Sequence, residues 1–415
     1  MGKVLKLAAR NLARYRRRTL LTSALIVLGM VAVLVFIAVS GSFKRLIVGQ
    51  ITDSMLGHVQ VHQRGYVASI DNLPLNLNLK PEAVAQVEDA LKGIEAVEAS
   101  SPRLKFGAMF SNFTETTSIR LNGIDPAREA ATVPLLPGRV IEGAAANGLL
   151  ERGTLLVPEI LARGMKLKVG DTVVLVATNL DGSVNGKTFT VRGVLAGVTG
   201  PGGRDGYLHL EDARELLRMT GAEVSEIAVR LKDPDRLKPA FAALAARLGT
   251  VRDSQGQPVF EVHTWEGLSP FANIARMIDL LDLSIKVMLV AIVLISVMNV
   301  MVMAVYERVR EIGTVSAIGT RPGRILALFV SEGLLLGVLG TAIGTLLSLG
   351  IVYGLNVARI TFAFGREEGL VLAPTLGGAD VGVVCATVIA VAVLASLQPA
   401  WKAARMDPIQ ALRHI

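Results

Sequence analysis

Hydrophobic and polar positions along this chain fall into two textures. Four stretches are almost wholly apolar: Leu20–Val39, Val287–Val305, Ile325–Val352 and Val381–Trp401. Three of them carry no Asp, Glu, Lys or Arg, and the third in order carries only Glu332. A hydrocarbon core of about 30 Å takes about 20 helical residues to cross, and in lipid only helices or closed barrels satisfy their own backbone groups. Uncharged runs of this length, without alternation, predict four membrane-spanning helices. The first run exceeds the apolar core of a cleaved secretory signal, about 7–15 residues, so it is read as a retained span.

Residues 41–284 show the second texture. GHVQVHQ alternates like a half-buried strand, and PEAVAQVEDALKG has helical spacing with Gly93 as its cap. VGDTVVLVATN and KTFTVRGVL read as strands joined by the turn-rich LDGSVNG, and SEIAVRLKD as another strand. LHLEDARELLRMTG, stopping at Gly221, and RLKPAFAALAARLG read as helices. The stretch is long enough for a core of its own, and the mixture predicts an α+β domain of two lobes. From Pro270 to Lys286 a helical pattern runs unbroken toward the second apolar run, which predicts a stalk. At the other end, Val4, Leu5, Ala8, Ala9, Leu12 and Tyr15 share one helical stripe among Lys and Arg, predicting an amphipathic helix on the membrane surface.

The expected layout is therefore an amphipathic helix at 1–18, spans at 19–40, 285–306, 325–353 and 381–399, and a folded domain at 41–284. A short loop at 307–324, a second at 354–380 and a tail at 400–415 complete it. The fold class is an α-helical membrane protein with four transmembrane helices plus a large α+β domain outside the membrane.

Charge orients this layout. The net charge is +8, yet residues 1–19, segment 306–324 and the tail after Trp401 together hold +11. Residues 41–284 hold 26 basic against 28 acidic side chains. By the positive-inside rule the basic pieces and both termini face the cytoplasm, with the folded domain on the far side. The basic excess is thus a topology signal and a grip on anionic lipid, not a nucleic-acid footprint. The single cysteine, Cys385, falls in the fourth span and excludes an intrachain disulfide or a cysteine-based metal cluster.

Candidate chemistry is sparse. GSVNGKT (Gly182–Thr188) has Asp181 where a phosphate-binding loop needs its first glycine, so it reads as a hairpin turn. His58 and His62 flank Gln60 on one strand face, read as solvated rather than metal-ligating because no carboxylate or cysteine cluster is near in sequence. In NLPLNLNLK, Leu73, Leu75, Leu77 and Leu79 would line one face of an extended segment, turned either to the core or to a lipid chain or protein partner. Glu332 lies about 10 Å into its span at 1.5 Å per residue. Such a carboxylate is costly there and is expected to have a structural or coupling role. Gly333, Gly337, Gly340 and Gly344 follow it as small-xxx-small pairs, allowing close helix approach within the chain or between copies.

Between the second and third spans runs YERVREIGTVSAIGTRPGRI. Val309, Ile312, Val315 and Ile318 recur every three residues, while Glu307, Arg308, Arg310 and Glu311 cluster at the start. Gly319 is placed to stop a helix and Pro322 to start the next. The pattern predicts a short, stiff, amphipathic cytoplasmic helix suited to a partner's groove.

ERVREIGTVSAIGTRPGRI, with Glu332 and the glycine-rich span behind it, resembles the signature of the FtsX/MacB superfamily of ABC-transporter permeases. The tail QPAWKAARMDPIQALR is similar to that family's closing pattern, and VPEILARGMKLKVGDTVVL and FTVRGVL are similar to its MacB-like periplasmic core. The resemblance implies a coupling helix whose Glu307, Arg308, Arg310, Glu311, Ile312, Gly313, Ile318 and Gly319 engage a separate ABC ATPase dimer. It implies no cofactor, nucleotide site or catalytic site in this chain, with ATP and Mg held by the ATPase. It further implies a bacterial inner-membrane location, pairing with a second permease copy or homologue, and a periplasmic acceptor protein. The single-polypeptide ATPase of MacB is missing and the ectodomain exceeds that of FtsX, so the layout is most similar to the LolC/LolE lipoprotein-releasing permeases. The expected function is ATP-coupled extraction or export of a lipoprotein or other amphiphile. The alternative is a non-transporting mechanotransmitter acting on a periplasmic protein such as a cell-wall hydrolase.

Overall fold

The computed structural model describes residues 2–143, 148–197, 204–269, 272–364, 367–407, 409 and 411. Pro270 at the expected stalk's start, and Pro408, Gln410, Leu412 and Arg413 of the tail motif, lie outside the described residues.

Helices α1 (Gly2–Arg14) and α2 (Arg16–Ile51) open the chain, and a π-helical turn at Thr52–Leu56 follows. Next come β1 (Val59–Gln63), α3 (Pro81–Lys92), β2 (Val97–Ser111), β3 (Thr116–Ile124), α4 (Pro126–Thr132) and β4 (Val140–Gly143). Then β5 (Thr154–Pro158), α5 (Glu159–Gly164), β6 (Thr172–Thr178), β7 (Val184–Leu195), β8 (Gly206–His209) and α6 (Leu210–Leu216). The domain finishes with β9 (Glu226–Leu231), α7 (Leu237–Leu248), β10 (Phe260–Thr264) and α8 (Trp265–Leu268). Helices α9 (Ala272–Glu307), α10 (Val309–Ala317) and α11 (Pro322–Ala358) follow, then β11 (Thr361–Phe364), β12 (Glu367–Val371) and α12 (Gly378–Ala404).

The chain folds as two compact units. One is Met1–Arg45 with Arg276–Ala363 and Glu368–Ile415; the other is Leu46–Ala275 with Phe364–Glu367. Among the described residues four helices are long and apolar enough to cross a membrane, and they contain the four apolar runs. Each extends beyond its run because helix continues into the flanking polar sequence. At 36 residues each, α2 and α9 are about 54 Å long, well over the about 30 Å of a hydrocarbon core.

Beyond the apolar runs, α2 and α9 are clipped together by polar contacts. Ser40 Oγ donates to Asp282 Oδ1 at 2.7 Å, and Lys44 Nζ donates to Asp279 Oδ1 at 2.6 Å. Those acids sit in the segment that the sequence marks as a stalk.

Gly333, Gly337, Gly340 and Gly344 of α11 form two seams inside one chain. A Cβ at Gly333 would lie 2.6 Å from Ser396 Cβ, and one at Gly337 3.0 Å from Ala392 Cβ, both on α12. The other pair faces α2: Cβ atoms at Gly340 and Gly344 would lie 2.5 Å from Ile26 Cγ2 and 2.6 Å from Met30 Cβ. Real Cβ atoms essentially never come closer than 3.0 Å, so Gly333, Gly340 and Gly344 are what let α11 sit against both neighbours, with Gly337 at the limit.

Among the described residues the second unit is built on a ten-stranded sheet in the order β10-β1-β9-β2-β3-β8-β5-β7-β4, with β6 paired to β2 and β7. The pairs β3–β8 and β5–β7 are parallel. Among the described residues three apolar clusters fill this unit, the smallest gathering Ile124, Leu136, Leu156 and Tyr207 around β3, β5 and β8. A second gathers Val61, Val87, Val229 and Leu244 from β1, α3, β9 and α7, and the third gathers Phe106, Leu121, Val173 and Phe189 from β2, β3, β6 and β7. GSVNGKT is the β6–β7 hairpin, closed by Asn179 N donating to Ser183 O at 2.7 Å.

Two expectations for this unit are corrected. His58, Gln60 and His62 are buried, not solvated, because β1 lies between β9 and β10 and is covered on both faces. His58 Nδ1 accepts from Leu231 N at 3.0 Å, and burial lowers its pKa even though Asp53 opposes that shift. The leucine stretch is not a strand. Leu73 adopts φ 49°, Pro74 can donate to no ladder, and 3-10 turns occupy Val67–Asn72 and Leu75–Leu77. Leu73 and Leu79 are buried and Leu75 and Leu77 half-buried, so the four form no exposed leucine edge.

Alternation also hides a charged row across the sheet. His62 and Arg103 are both register partners of Glu226, from β1 and β2 on either side of β9. Arg103 Nη1 donates to Glu226 Oε1 at 3.0 Å and Arg103 Nε to Glu129 Oε2 at 3.1 Å. Lys105 Nζ lies 2.9 Å, and His62 Nε2 3.4 Å, from Glu226 Oε2. Tyr66 stacks on the His62 ring with 5.3 Å between centroids.

Candidate functional site

The charged segment between α9 and α11 folds as expected in outline and differs in which residues it presents. Helix α10 ends in a Schellman motif: Thr320 N donates to Val315 O and Gly319 N to Ser316 O. Gly319 supplies the left-handed residue this motif needs, at φ 91°. Pro322 then opens α11 at its first position. Gly319→Ala is expected to destabilise the end of α10 by about 1–2 kcal/mol, the left-handed penalty for a residue with a Cβ, read as faster amide exchange at Ile318 and Thr320.

The apolar residues at every third position do not make one face. A helix turns 100° per residue, so Val309 and Ile318, nine apart, end on opposite sides. Val309 and Ile312 are buried, and Ile312 packs with Val305, Phe329 and Ala403. Val315 and Ile318 point outward, Ile318 with 80% of its surface exposed. Gly313 is buried, while Glu307, Arg310, Glu311 and Gly319 are exposed. The helix therefore has a seated base and an open outer side bearing charge and two aliphatic knobs.

Arg308 departs from the expectation that it faces a partner. It is 4% exposed, forms the one-residue break between α9 and α10, and turns into the bundle. Its Nη1 donates to Glu332 Oε1 at 2.9 Å, and its guanidinium lies 4.4 Å from the centre of the Tyr15 ring. Glu332 is fully buried, and the same Oε1 accepts from Asn11 Nδ2 at 2.8 Å. The intramembrane carboxylate is thus paired, as a buried charge must be. Asn11 had a sequence signal that pattern reading passes over: it is the amide inside the Ala8–Leu12–Tyr15 stripe by which α1 packs on α11. Outside the bundle, Arg14 Nη1 lies 3.7 Å from Glu311 Oε1.

Among the described residues, no group of His, Cys, Asp and Glu is arranged to hold a metal ion. The site is an exposed helix on a buried ionic base, in a protein with four candidate membrane spans and a large α/β domain.

Comparisons with known proteins give the family. A MacB-like periplasmic core domain matches residues 19–247, and an FtsX-like permease C-terminal domain matches residues 283–408. The chain belongs to the FtsX/MacB superfamily of ABC-transporter permeases. It is 24% identical over 414 residues to the lipoprotein-releasing system transmembrane protein LolC of Neisseria meningitidis, covering 95% of this chain and 94% of that one. The ABC transporter permease YknZ of Bacillus subtilis is 26% identical, covering 99% and 98%. The macrolide export ATP-binding/permease protein MacB of Acinetobacter baylyi is 25% identical over 99% of this chain, which spans 59% of that protein.

Proposed function

We propose that this chain is the permease half of an ABC transporter that extracts or exports a lipoprotein or other amphiphile from the bacterial inner membrane. A separate ATPase dimer binds ATP and Mg, closes on nucleotide, and pushes on the outer side of α10. The movement passes along α9, and through its Ser40–Asp282 and Lys44–Asp279 contacts to α2, toward the domain outside the membrane. Both termini then lie in the cytoplasm, the permease works with a second copy or homologue, and the extracytoplasmic domain hands the cargo to a periplasmic acceptor.

The observation that carries this reading is α10 itself. A nine-residue helix holds its base in the bundle and exposes Val315 and Ile318 beside Arg310 and Glu311. An aliphatic knob with charges around it fits a groove in a protein partner, where the apolar side docks and the charges set register. The full-length similarity to LolC supports the cargo class.

The test is co-purification with the ATPase, followed by turnover in nanodiscs. Ile318→Asp places a charge on the docking knob, and Arg310→Glu reverses its rim. Each is expected to lower complex-dependent ATP turnover about tenfold or more, the effect of losing about 1.4 kcal/mol or more at a central contact. Unchanged turnover in both variants, or failure to retain any ATPase, overturns the coupling assignment. Photo-crosslinkers on α2 and α9 test the cargo. Acyl-chain adducts support extraction, whereas adducts to a periplasmic protein alone mean a mechanotransmitter.

A further inference from the structure

Two helix breaks meet at the base of α10, and they belong to parts of the chain nearly 300 residues apart. Tyr15 is the turn between α1 and α2, and Arg308 the break between α9 and α10. The Arg308 guanidinium lies on the Tyr15 ring, and one oxygen of Glu332 accepts both from Asn11 of α1 and from Arg308. We infer that α1 sets the pose of α10 through this node, with Asn11 and Glu332 as positioning residues for the coupling helix. The inference deepens the proposed coupling role, and the measurement of pose below stands apart from it.

The geometry favours a joint over a weld. Both hydrogen bonds to Glu332 converge on Oε1, while Oε2, and Nε and Nη2 of Arg308, have no hydrogen-bond partner among the described residues. A carboxylate held at a single oxygen can turn about that point and keep both donors. The helix it holds is short and begins at the break, so a small rotation there swings Val315 and Ile318 as a unit. Helix α1 has its own seat, with Ala8 and Leu12 buried against α11, and it reaches α10 a second time through Arg14 and Glu311. A displacement of α1 along α11 therefore pulls first on Asn11, then on the carboxylate, then on the Arg308 break.

The pose of α10 is measured in the full-length permease in nanodiscs, in a Cys385→Ala background. Spin labels at Ile318→Cys and Leu339→Cys report the distance from the exposed end of α10 to a fixed point on α11. The unsubstituted node is expected to give one narrow distance distribution. Asn11→Ala and Glu332→Gln should each broaden or shift it, and the exchange Arg308→Glu with Glu332→Arg should narrow it again. If Glu332→Gln does not fold, Asn11→Ala on the outer helix carries the test alone. An unchanged distribution in Asn11→Ala overturns the inference.

A second readout separates positioning from mere structure. With the ATPase present, Asn11→Ala should lower cargo moved per ATP by about fivefold or more, the lower end of ordinary inter-site coupling, without loss of assembly. A change in yield with the ratio intact would make the node only structural. If Ile318→Asp leaves ATP turnover intact while Asn11→Ala still moves the label distance, the coupling role fails and the control of α10 by α1 stands.

Discussion

Replacing Glu226 with alanine is expected to cost the extracytoplasmic domain about 3–5 kcal/mol, the usual effect of removing one partner from a buried ion pair. Arg103 and Glu226 are both buried in the middle of the sheet. With Glu226 gone, Arg103 keeps Glu129 as its one carboxylate, and Lys105 and His62 lose theirs. The remaining charge is uncompensated where water does not reach. Burial alone would raise the Glu226 carboxyl, but Lys105, the His62 hydrogen bond and Arg103 outweigh it and hold the group well below its ordinary 4.5. A depressed folded-state pKa contributes stability that is complete above the unfolded value and is lost as pH falls below it. Thermal unfolding of the full chain in nanodiscs should therefore show a midpoint that is level near neutrality and drops steadily below about pH 4.5, where the unfolded chain takes up a proton at Glu226 that the folded chain does not. Glu226→Gln, which keeps shape and acceptor but not charge, should flatten that acid limb while lowering the neutral plateau. A loss under about 1 kcal/mol in Glu226→Ala would match an exposed pair and would mean that water already solvates the row.

That row also shows where sequence reading stops. The spans were legible because an uncharged run of about 20 residues has few other physical solutions. Strands β6, β7 and β9 were legible because their alternation is clean. Strand β2 was not, since it carries Pro102, Arg103 and Lys105 in its middle, a composition that argues against a central strand. Its charges are tolerated because Glu129 and Glu226, from α4 and β9, meet them there. The solvated reading of His58 and His62 failed for a related reason: alternation tells which residues share a face, not whether that face is covered. In the leucine stretch the period of two was real, but Leu73 and Pro74 break the backbone that would have used it. At α10 the existence, stop and restart of the helix were readable from Gly319 and Pro322. What was not readable was the pairing of Arg308 with Glu332, 24 residues on, and of Asn11 with the same carboxylate 321 residues away. Such contacts follow from packing, which no local period encodes.

The glycine seams of α11 give the second large effect, and they separate an intrachain role from association between copies. Carbon atoms in contact sit about 3.5–4.0 Å apart, so a Cβ at Gly340, 2.5 Å from Ile26 Cγ2, requires α2 and α11 to part. Gly340→Leu is expected to destabilise the bundle by about 1–3 kcal/mol or more, in the range of overpacked cores, measured as unfolding of the purified chain in mixed micelles. Gly340→Ala should show a smaller loss that Ile26→Ala partly reverses, with a coupling of about 0.5–3 kcal/mol as expected for side chains in contact. Gly350, on the same helix, has nothing within 4 Å of its would-be Cβ, so Gly350→Ala should match or exceed the unsubstituted chain. If the seam instead joined two copies, Gly340→Ala would change the oligomeric state and leave the unfolding of one copy unmoved, and Ile26→Ala would not modify it. Because Glu332 sits one residue before the Gly333 seam, any tilt of α11 also moves the carboxylate that holds Arg308. A variant that loosens the seams without unfolding the chain should therefore widen the Ile318–Leu339 distance distribution as Asn11→Ala does, since both act on the base of α10.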